Sequence, residues 1–401
     1  MNASQRPLDG IRVLEVGQLL AGPFAGSMLA YYGAEVIKVE PPRSGDPLRQ
    51  WRELDENGTS WWWRSLGRNK KCITADLRRE EGRQLAGKLA RKCDVLIENF
   101  RPGVMEKWGL GPVDLWEDNP GLVYARISGY GQDGPYSARP GFASVCEGVG
   151  GLRYVNGKPG EAPMRPNLSL GDTIAGLHTA LGIVMACLHR ERIPGAGGQV
   201  IDTALYEASF NLLEGVIPEY DGAGVIREPS GSTLTGIVPT NTYKCADGKF
   251  IVIGANGDSI FKRLCDTMDR SDMGIDPRLE NNAGRVKHEP EIDAAIEAWT
   301  GSVDSEKALH MLEDARVPAG PINSVADMMV DPHFIARGLF EEVDVNGIPL
   351  KIPAMVPKMS ETPGRTDWAG PEVGAFNAEV YGDLLGLSES ELEDLQTRGV
   401  L

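Results

Sequence analysis

The chain has 401 residues, 41% of them hydrophobic and 24% charged, and a formal net charge of −16. That composition supplies a sizeable globular core. It sets nucleic acid and anionic membrane aside as main partners, because both select basic surfaces. The six cysteines (Cys72, Cys93, Cys146, Cys187, Cys245, Cys265) form no CxxC pair, so they read as buried reduced thiols rather than a metal site or redox dithiol. Residues 1–10 carry no apolar signal core, and no run approaches the ~18 apolar residues of a membrane span. A cytoplasmic protein is expected.

The first part of the chain alternates strand and helix. A β-branched run at 11–16 is followed by a turn or helix entry at 17–23 and a small, apolar helix at 24–32. Residues 34–40 alternate at period two, and Pro41-Pro42 stops them. A strand at 73–77, a helix at 80–92 and strands at 94–98 and 122–128 continue the pattern. Such alternation predicts a doubly wound parallel sheet. No GxGxxG follows the first strand, so the fold is Rossmann-like without the usual dinucleotide fingerprint.

Residues 128–171 are rich in Gly and Pro and read as one long functional loop. A helix at 173–189, a strand at 199–205 and a helix at 206–214 follow. Composition breaks at Pro218–Gly236, after which a hairpin (242–245 with 249–253) and helices at 259–269, 289–300 and 305–315 predict a smaller α+β domain. It ends near Val317-Pro-Ala-Gly-Pro321. Ser388 and Glu391 have capping-box spacing for a final helix, with Gly399 at its end. The expected division is 1–217 and 326–401 for the large domain and 218–325 for the small one.

Asp172 stands in Leu168-Ser-Leu-Gly-Asp172, at the mouth of the 173–189 helix, and by spacing reads as its N-cap. An acid there is also kept ionised by the helix dipole, which suits a nucleophile, and the two roles are compatible. Arg68, Lys70, Lys71, Arg78, Arg79, Arg101 and Lys107 fall near strand ends, where an open α/β sheet binds ligands, and suit a phosphorylated ligand or a solvated charged face. Trp61, Trp62 and Trp63 read as packing residues before base-stacking ones. The five histidines form no nucleophile constellation.

Several segments together resemble the class III CoA-transferases (the CaiB/BaiF superfamily). They are Pro7-Leu-Asp-Gly-Ile-Arg-Val-Leu-Glu15, Ala21-Gly-Pro23, Gly33-Ala-Glu-Val-Ile-Lys-Val-Glu40, Ser44-Gly-Asp46, Arg68-Asn-Lys70, Glu98-Asn-Phe-Arg-Pro-Gly103, Ser128-Gly-Tyr-Gly131 and Gly171-Asp172. The resemblance implies a Rossmann-like large domain built from both chain ends, a small domain between them, and two subunits interlocked as a homodimer. It places the catalytic carboxylate at Asp172, which takes the acyl group from a donor acyl-CoA, becomes an aspartyl-CoA thioester and passes CoA to an acceptor acid. It implies CoA contacts at Val39, Glu40 and Pro41, at Ala75 and Arg78, and at Asn99, Phe100 and Lys107. CoA is then a substrate, with no tightly bound cofactor, and the first turn of the helix after Asp172 is a source of oxyanion donors.

Three positions depart from relatives of known chemistry. Formyl-CoA transferases have Gln before Ala-Gly-Pro, where this chain has Leu20, and a four-glycine run, where it keeps only Gly231 and Gly236. Racemases of the superfamily place His-Asp after a Gly, whereas Gly141 is followed by Phe142-Ala143, so one of two proton-transfer bases is missing. The stretch Gly141–Arg153 resembles members acting on dicarboxylates such as succinate, malate, citramalate or itaconate, with Arg153 or Arg165 as the clamp for the far carboxylate. The expected activity is CoA transfer from succinyl-CoA or a similar donor to a four- or five-carbon dicarboxylate. A racemase-like isomerase and a non-catalytic acyl-CoA binder are the alternatives.

Overall fold

The protein is described from a computed structural model covering residues 5–401. Its chain forms two compact units. The larger runs through Leu152 and adds Pro166–Glu214 and Ile335–Leu401; the smaller holds Arg153–Arg165 and Gly215–Phe334. The boundaries therefore differ from the sequence division, and residues 153–165 change sides. The Gly231 amide donates to the Gly157 carbonyl at 2.8 Å and the Tyr154 hydroxyl to Glu228 at 2.9 Å, contacts that composition does not reveal.

In the larger unit the elements run β1 (Arg12–Glu15), α1 (Ala21–Tyr31), β2 (Glu35–Glu40), α2 (Trp61–Leu66), β3 (Lys70–Thr74), α3 (Glu80–Ala90), β4 (Val95–Glu98), α4 (Val104–Lys107), α5 (Pro112–Trp116), β5 (Val123–Ser128), α6 (Ala143–Val149), α7 (Leu170–Arg192) and β6 (Val200–Ala204). The strands form one parallel sheet in the order β3-β2-β1-β4-β5-β6. That is the doubly wound order, reversing beside β1, and ligands bind beyond the strands' carboxyl ends near such a reversal.

Period two sorts the strand residues between two cores. Val13, Val36, Val95, Ile97, Val123 and Ala125 pack with α1 and α7. Leu14, Ile37, Val39, Ile73 and Leu96 pack on the other face with α3 and the C-terminal segment, through Val380, Tyr381 and Val400. Parallel strands buried on both faces need such continuous apolar runs. Helices α1 and α7 cross at Gly176, where a Cβ would stand 2.8 Å from the Ala21 carbonyl oxygen, so only glycine permits the approach.

The 23 residues of α7 are long and apolar enough, by length and composition, to cross a membrane. Here Ala180, Ile183, Ala186 and Cys187 are buried against the sheet, while Leu181, Met185 and Leu188 are exposed.

Helix α6 and a C-terminal hairpin are among the elements that the sequence reading did not predict. Helix α6 interrupts the supposed 128–171 loop; it is seven residues long, holds Gly148 and ends at Gly150, a composition that reads as loop. The strands β10 (Phe340–Val345) and β11 (Ile348–Pro353) form a hairpin, whose Asn346-Gly347 turn has φ of 54° and 85°. That dipeptide is a strong hairpin signal and was legible. The last helix begins with the expected capping box: Ser388 N donates to Glu391 Oε2 at 2.8 Å and Glu391 N to Ser388 Oγ at 3.4 Å.

In the smaller unit β7 (Thr240–Lys244), β8 (Phe250–Gly254) and β9 (Ala319–Pro321) form an antiparallel sheet. The helices Asp258–Thr267, Glu289–Thr300 and Ser305–Asp314 pack around Ile251, Ile253, Phe261, Leu264, Ile296 and Leu312. The segment expected to end this domain is instead its third strand.

Candidate active site

A cavity of about 380 Å³ opens beyond the carboxyl ends of β1, β2 and β3. Six residues singled out from the sequence line it: Val39, Glu40, Pro41, Ala75, Arg78 and Phe100. They arrive from three strand ends, which is how a doubly wound sheet gathers distant residues. Phe100 stands edge-on to Trp108 with ring centroids 5.1 Å apart, and this aromatic pair closes one wall. Arg78 is 83% exposed at the rim and pairs with Asp76 through bonds of 2.8 and 2.9 Å. Gln18, Leu77 and Trp108 also line the cavity and were not anticipated. No periodicity marks them, because they sit in the turns between elements.

Two residues expected to contact CoA, Asn99 and Lys107, do not line this cavity. The Asn99 side chain is absorbed by the turn after β1, its Oδ1 accepting from Gln18 N at 2.8 Å and its Nδ2 donating to Gln18 O at 2.7 Å. Lys107 is exposed at the end of α4 and is not part of the lining.

The basic cluster expected at the strand ends comes apart in the same way. Lys70 is fully buried, 2.8 Å from Glu15, and Arg68 is buried with its guanidinium donating to the Ser65 and Pro353 carbonyls. Lys71 joins Glu35 and Glu379, each at 2.7 Å. These cations hold the fold together. Apart from Ser65, their partners lie far away in sequence, so spacing could not identify them. Trp63 is fully buried beneath the Arg49 guanidinium at 3.9 Å, as a packing residue would be.

Asp172 is the third residue of α7, in its first turn, and is partly buried. The N-cap is Ser169, so Asp172 is not the cap that its spacing suggested; the helix starts three residues earlier than expected. The first turn lies within reach of the helix's positive end, which favours an ionised carboxylate there. The Gly171 amide donates to Glu147 Oε1 at 3.1 Å, so that N–H does not serve as an oxyanion donor. Glu147 is 1% exposed, and a side chain at position 171 would press on it at 3.1 Å and on Ala143 at 3.4 Å. Glycine before Asp172 thus lets α6 close against α7.

Cys146, also on α6, is the competing nucleophile to consider. Burial first, and then the charge of nearby Asp172, push its thiol up to about 11. A neutral thiol donating to the Gly129 carbonyl at 3.3 Å is a poor nucleophile.

Leu20 lines a second cavity of about 350 Å³ with Phe24, Met28, Trp62, Leu177 and Thr173, the residue after Asp172. Its walls are largely apolar where a Gln would have added a polar amide. Phe142 is the residue before α6 and is 71% exposed. An imidazole is absent from that position. Gly231 and Gly236, with φ of 72° and 80°, and Arg153 and Arg165 all belong to the smaller unit.

This combination of a 3-2-1-4-5-6 parallel sheet, a cavity at its strand ends and a carboxylate at a helix start has known counterparts. Residues 8–377 match CoA-transferase family III, and the chain belongs to that family. It is 46% identical over 397 residues, 99% of this chain and 98% of the relative, to the succinyl-CoA–D-citramalate CoA-transferase of Chloroflexus aurantiacus. It is 41% identical over 400 residues, 99% of this chain and 93% of the relative, to the alpha subunit of a succinyl-CoA–L-malate CoA-transferase from Chloroflexus aurantiacus. The crystal structure of a CaiB/BaiF family protein from Brucella suis superimposes with a TM-score of 0.83 at 34% identity, covering 95% of this chain and all of that one. The chain is a CoA-transferase, and CoA thioesters are its substrates.

Proposed function

We propose that this enzyme moves CoA from succinyl-CoA to a four- or five-carbon dicarboxylic acid through an aspartyl-CoA thioester on Asp172. The observation that carries the reading is Asp172 in the first turn of α7, beside a thiol that burial keeps protonated. The named acceptors of the two Chloroflexus relatives, D-citramalate and L-malate, support the substrate class.

In this mechanism an Asp172 carboxylate oxygen attacks the thioester carbonyl of the donor. The C–S bond breaks, CoA leaves as thiolate, and a succinyl-aspartyl anhydride remains. The thiolate attacks the Asp172 carbonyl carbon, releasing succinate and forming the aspartyl-CoA thioester. The acceptor carboxylate attacks that thioester in turn, and the returning thiolate attacks the acceptor's acyl carbon, restoring Asp172. Each step exchanges one activated acyl bond for another, so no barrier carries the whole transfer. CoA lies along the cavity of Val39, Pro41, Ala75 and Phe100 with Arg78 at its phosphate end, and Arg153 or Arg165 holds the acceptor's far carboxylate.

Asp172→Ala should lower kcat by about a thousandfold or more. Incubation of the wild type with succinyl-CoA and hydroxylamine should leave a hydroxamate on the peptide carrying Asp172. An active Asp172→Ala enzyme, or a hydroxamate on another residue, overturns the mechanism. Deuterium entering the α-carbon of an acyl-CoA without any acceptor acid would favour the racemase-like alternative, which the lack of an imidazole at Phe142 disfavours.

The enzyme is further proposed to act as a homodimer. Exposed Leu181, Met185 and Leu188 on α7, and an apolar groove of about 490 Å³ lined by Leu177, Leu181, Val184 and Met359, support self-association. A monomeric mass by light scattering overturns this.

A further inference from the structure

The turn after β1 is held by side chains from four other segments. Lys38 on β2 donates to the Gly17 carbonyl at 2.9 Å. Asn99, beyond β4, takes both the N–H and the C=O of Gln18. Asp46 accepts from the Leu19 N–H through both oxygens at 3.1 Å. Lys70 on β3 donates to the Pro23 carbonyl at 2.6 Å. These anchors are themselves locked, since Lys38 lies 3.0 Å from Glu15 and 2.9 Å from Asp46, and all four side chains of the Glu15, Lys38, Asp46 and Lys70 cluster are 0% exposed.

The locked backbone is not a relaxed one. Leu19 has φ of 65°, a left-handed conformation that a branched side chain adopts only when its surroundings impose it. The twist separates its neighbours. Gln18 lines the cavity at the strand ends, and Leu20 lines the apolar cavity beside Thr173. The other polar side chains at the first cavity are largely committed, Glu40 to Arg49 at 2.7 Å and Asp76 to Arg78. Among the described residues the side-chain amide of Gln18 has no hydrogen-bond partner. It is a donor and an acceptor, on an immobilised backbone, in the wall of a narrow cavity.

We propose that Gln18 binds the amide groups of the pantetheine arm of CoA, and that the buried Lys38–Asp46 pair, with Asn99, is the device that positions it. This rests on the CoA cavity named above. A primary amide matches a secondary amide in both directions, giving the ligand a partner that neither an acid nor a hydroxyl supplies. Preorganisation keeps the binding cost low, because the backbone has already lost its freedom in the free protein.

Isothermal titration tests this with two probes, CoA and adenosine 3′,5′-bisphosphate, which lacks pantetheine. Gln18→Ala should weaken CoA about tenfold, leave the bisphosphate unchanged and leave the melting temperature within about 2 °C. Asp46→Asn keeps an acceptor for Leu19 but loses the charge facing Lys38, and should weaken CoA more than the bisphosphate. Gln18→Asn, with the same amide on a shorter arm, should recover part of the lost affinity. Equal weakening of both probes by Gln18→Ala, or unchanged CoA binding, overturns the proposal. Failure of the wild type to bind CoA refutes the cavity assignment instead. A transfer-dead enzyme with these binding differences intact refutes the function alone.

Discussion

Two charged regions sit within a few residues of each other and differ in almost every physical respect. Beneath the β1–α1 turn, Glu15, Lys38, Asp46 and Lys70 are wholly withdrawn from water. At the mouth of the neighbouring cavity, Arg78 is 83% exposed and reaches over an Asp76 side chain that is 14% exposed. Burial alone would lower the Lys38 ammonium, but Asp46, Glu15 and Glu40 outweigh it and hold it above its ordinary value. Lys70 shares Glu15 with Lys38 and ends below its ordinary value, with burial the larger cause. Ion pairs out of water are interdependent and unforgiving of deletion, whereas pairs in water are nearly independent. The first region is rigid, and the second leaves a guanidinium in solvent at the cavity rim.

Deleting a partner from the buried set should have the largest effect. Lys38→Met leaves Asp46 and Glu15 short of a cation and should cost about 3–5 kcal/mol, read from chemical denaturation. A loss no larger than that of Arg78→Ala would erase the contrast.

Glu98 provides an intermediate case, 1% exposed and 2.8 Å from Arg126. Burial pushes its carboxyl up to about 7 from an ordinary 4.5, with Arg126 pulling it back. A carboxyl raised in the folded state keeps a proton that the unfolded chain has released. Its stabilising contribution is therefore full below about pH 4.5 and lost as pH rises towards about 7, by up to about 3 kcal/mol. Urea midpoints at pH 5 and pH 8 should converge in Glu98→Gln relative to the wild type. An unchanged pH slope would mean that Arg126 keeps Glu98 ionised throughout.

The smallest structural effect belongs to Arg78→Ala. Its melting temperature should match the wild type, while CoA binding weakens about fivefold at low salt and less at high salt, as for an exposed phosphate contact. A drop in melting temperature would show that the rim is part of the rigid region after all.

The same contrast explains what the sequence disclosed. Strand and helix alternation gave the sheet, because burial on both faces writes itself into local hydrophobic runs. The motifs gave Val39, Pro41, Ala75, Arg78 and Phe100, whose positions follow from strand ends. Arg68, Lys70 and Lys71 looked like ligand-binding cations because their charges are local and their partners are not. Asn99 looked like a channel residue because nothing in its neighbours announces the Gln18 backbone. Asp172 was found by its motif and misplaced by one turn, since Ser169, Leu170 and Gly171 read as loop. The Asn346-Gly347 hairpin carries a local signal that the strand-and-helix alternation does not use.

The edge strand β3 is finished by residues that come much later. Asn377 Oδ1 accepts from Thr74 N at 2.8 Å across 303 residues, and Tyr381 donates to the Thr74 carbonyl. The Asp76 amide, in the cavity wall, donates to the Val400 carbonyl at 2.8 Å. On the ribosome, at roughly 5–20 residues per second, that wall waits on the order of 15–60 s for its last support. During that interval the end of β3 and the cavity wall after it lack the contacts from Asn377, Tyr381 and Val400, so the strand end settles only after synthesis is nearly complete.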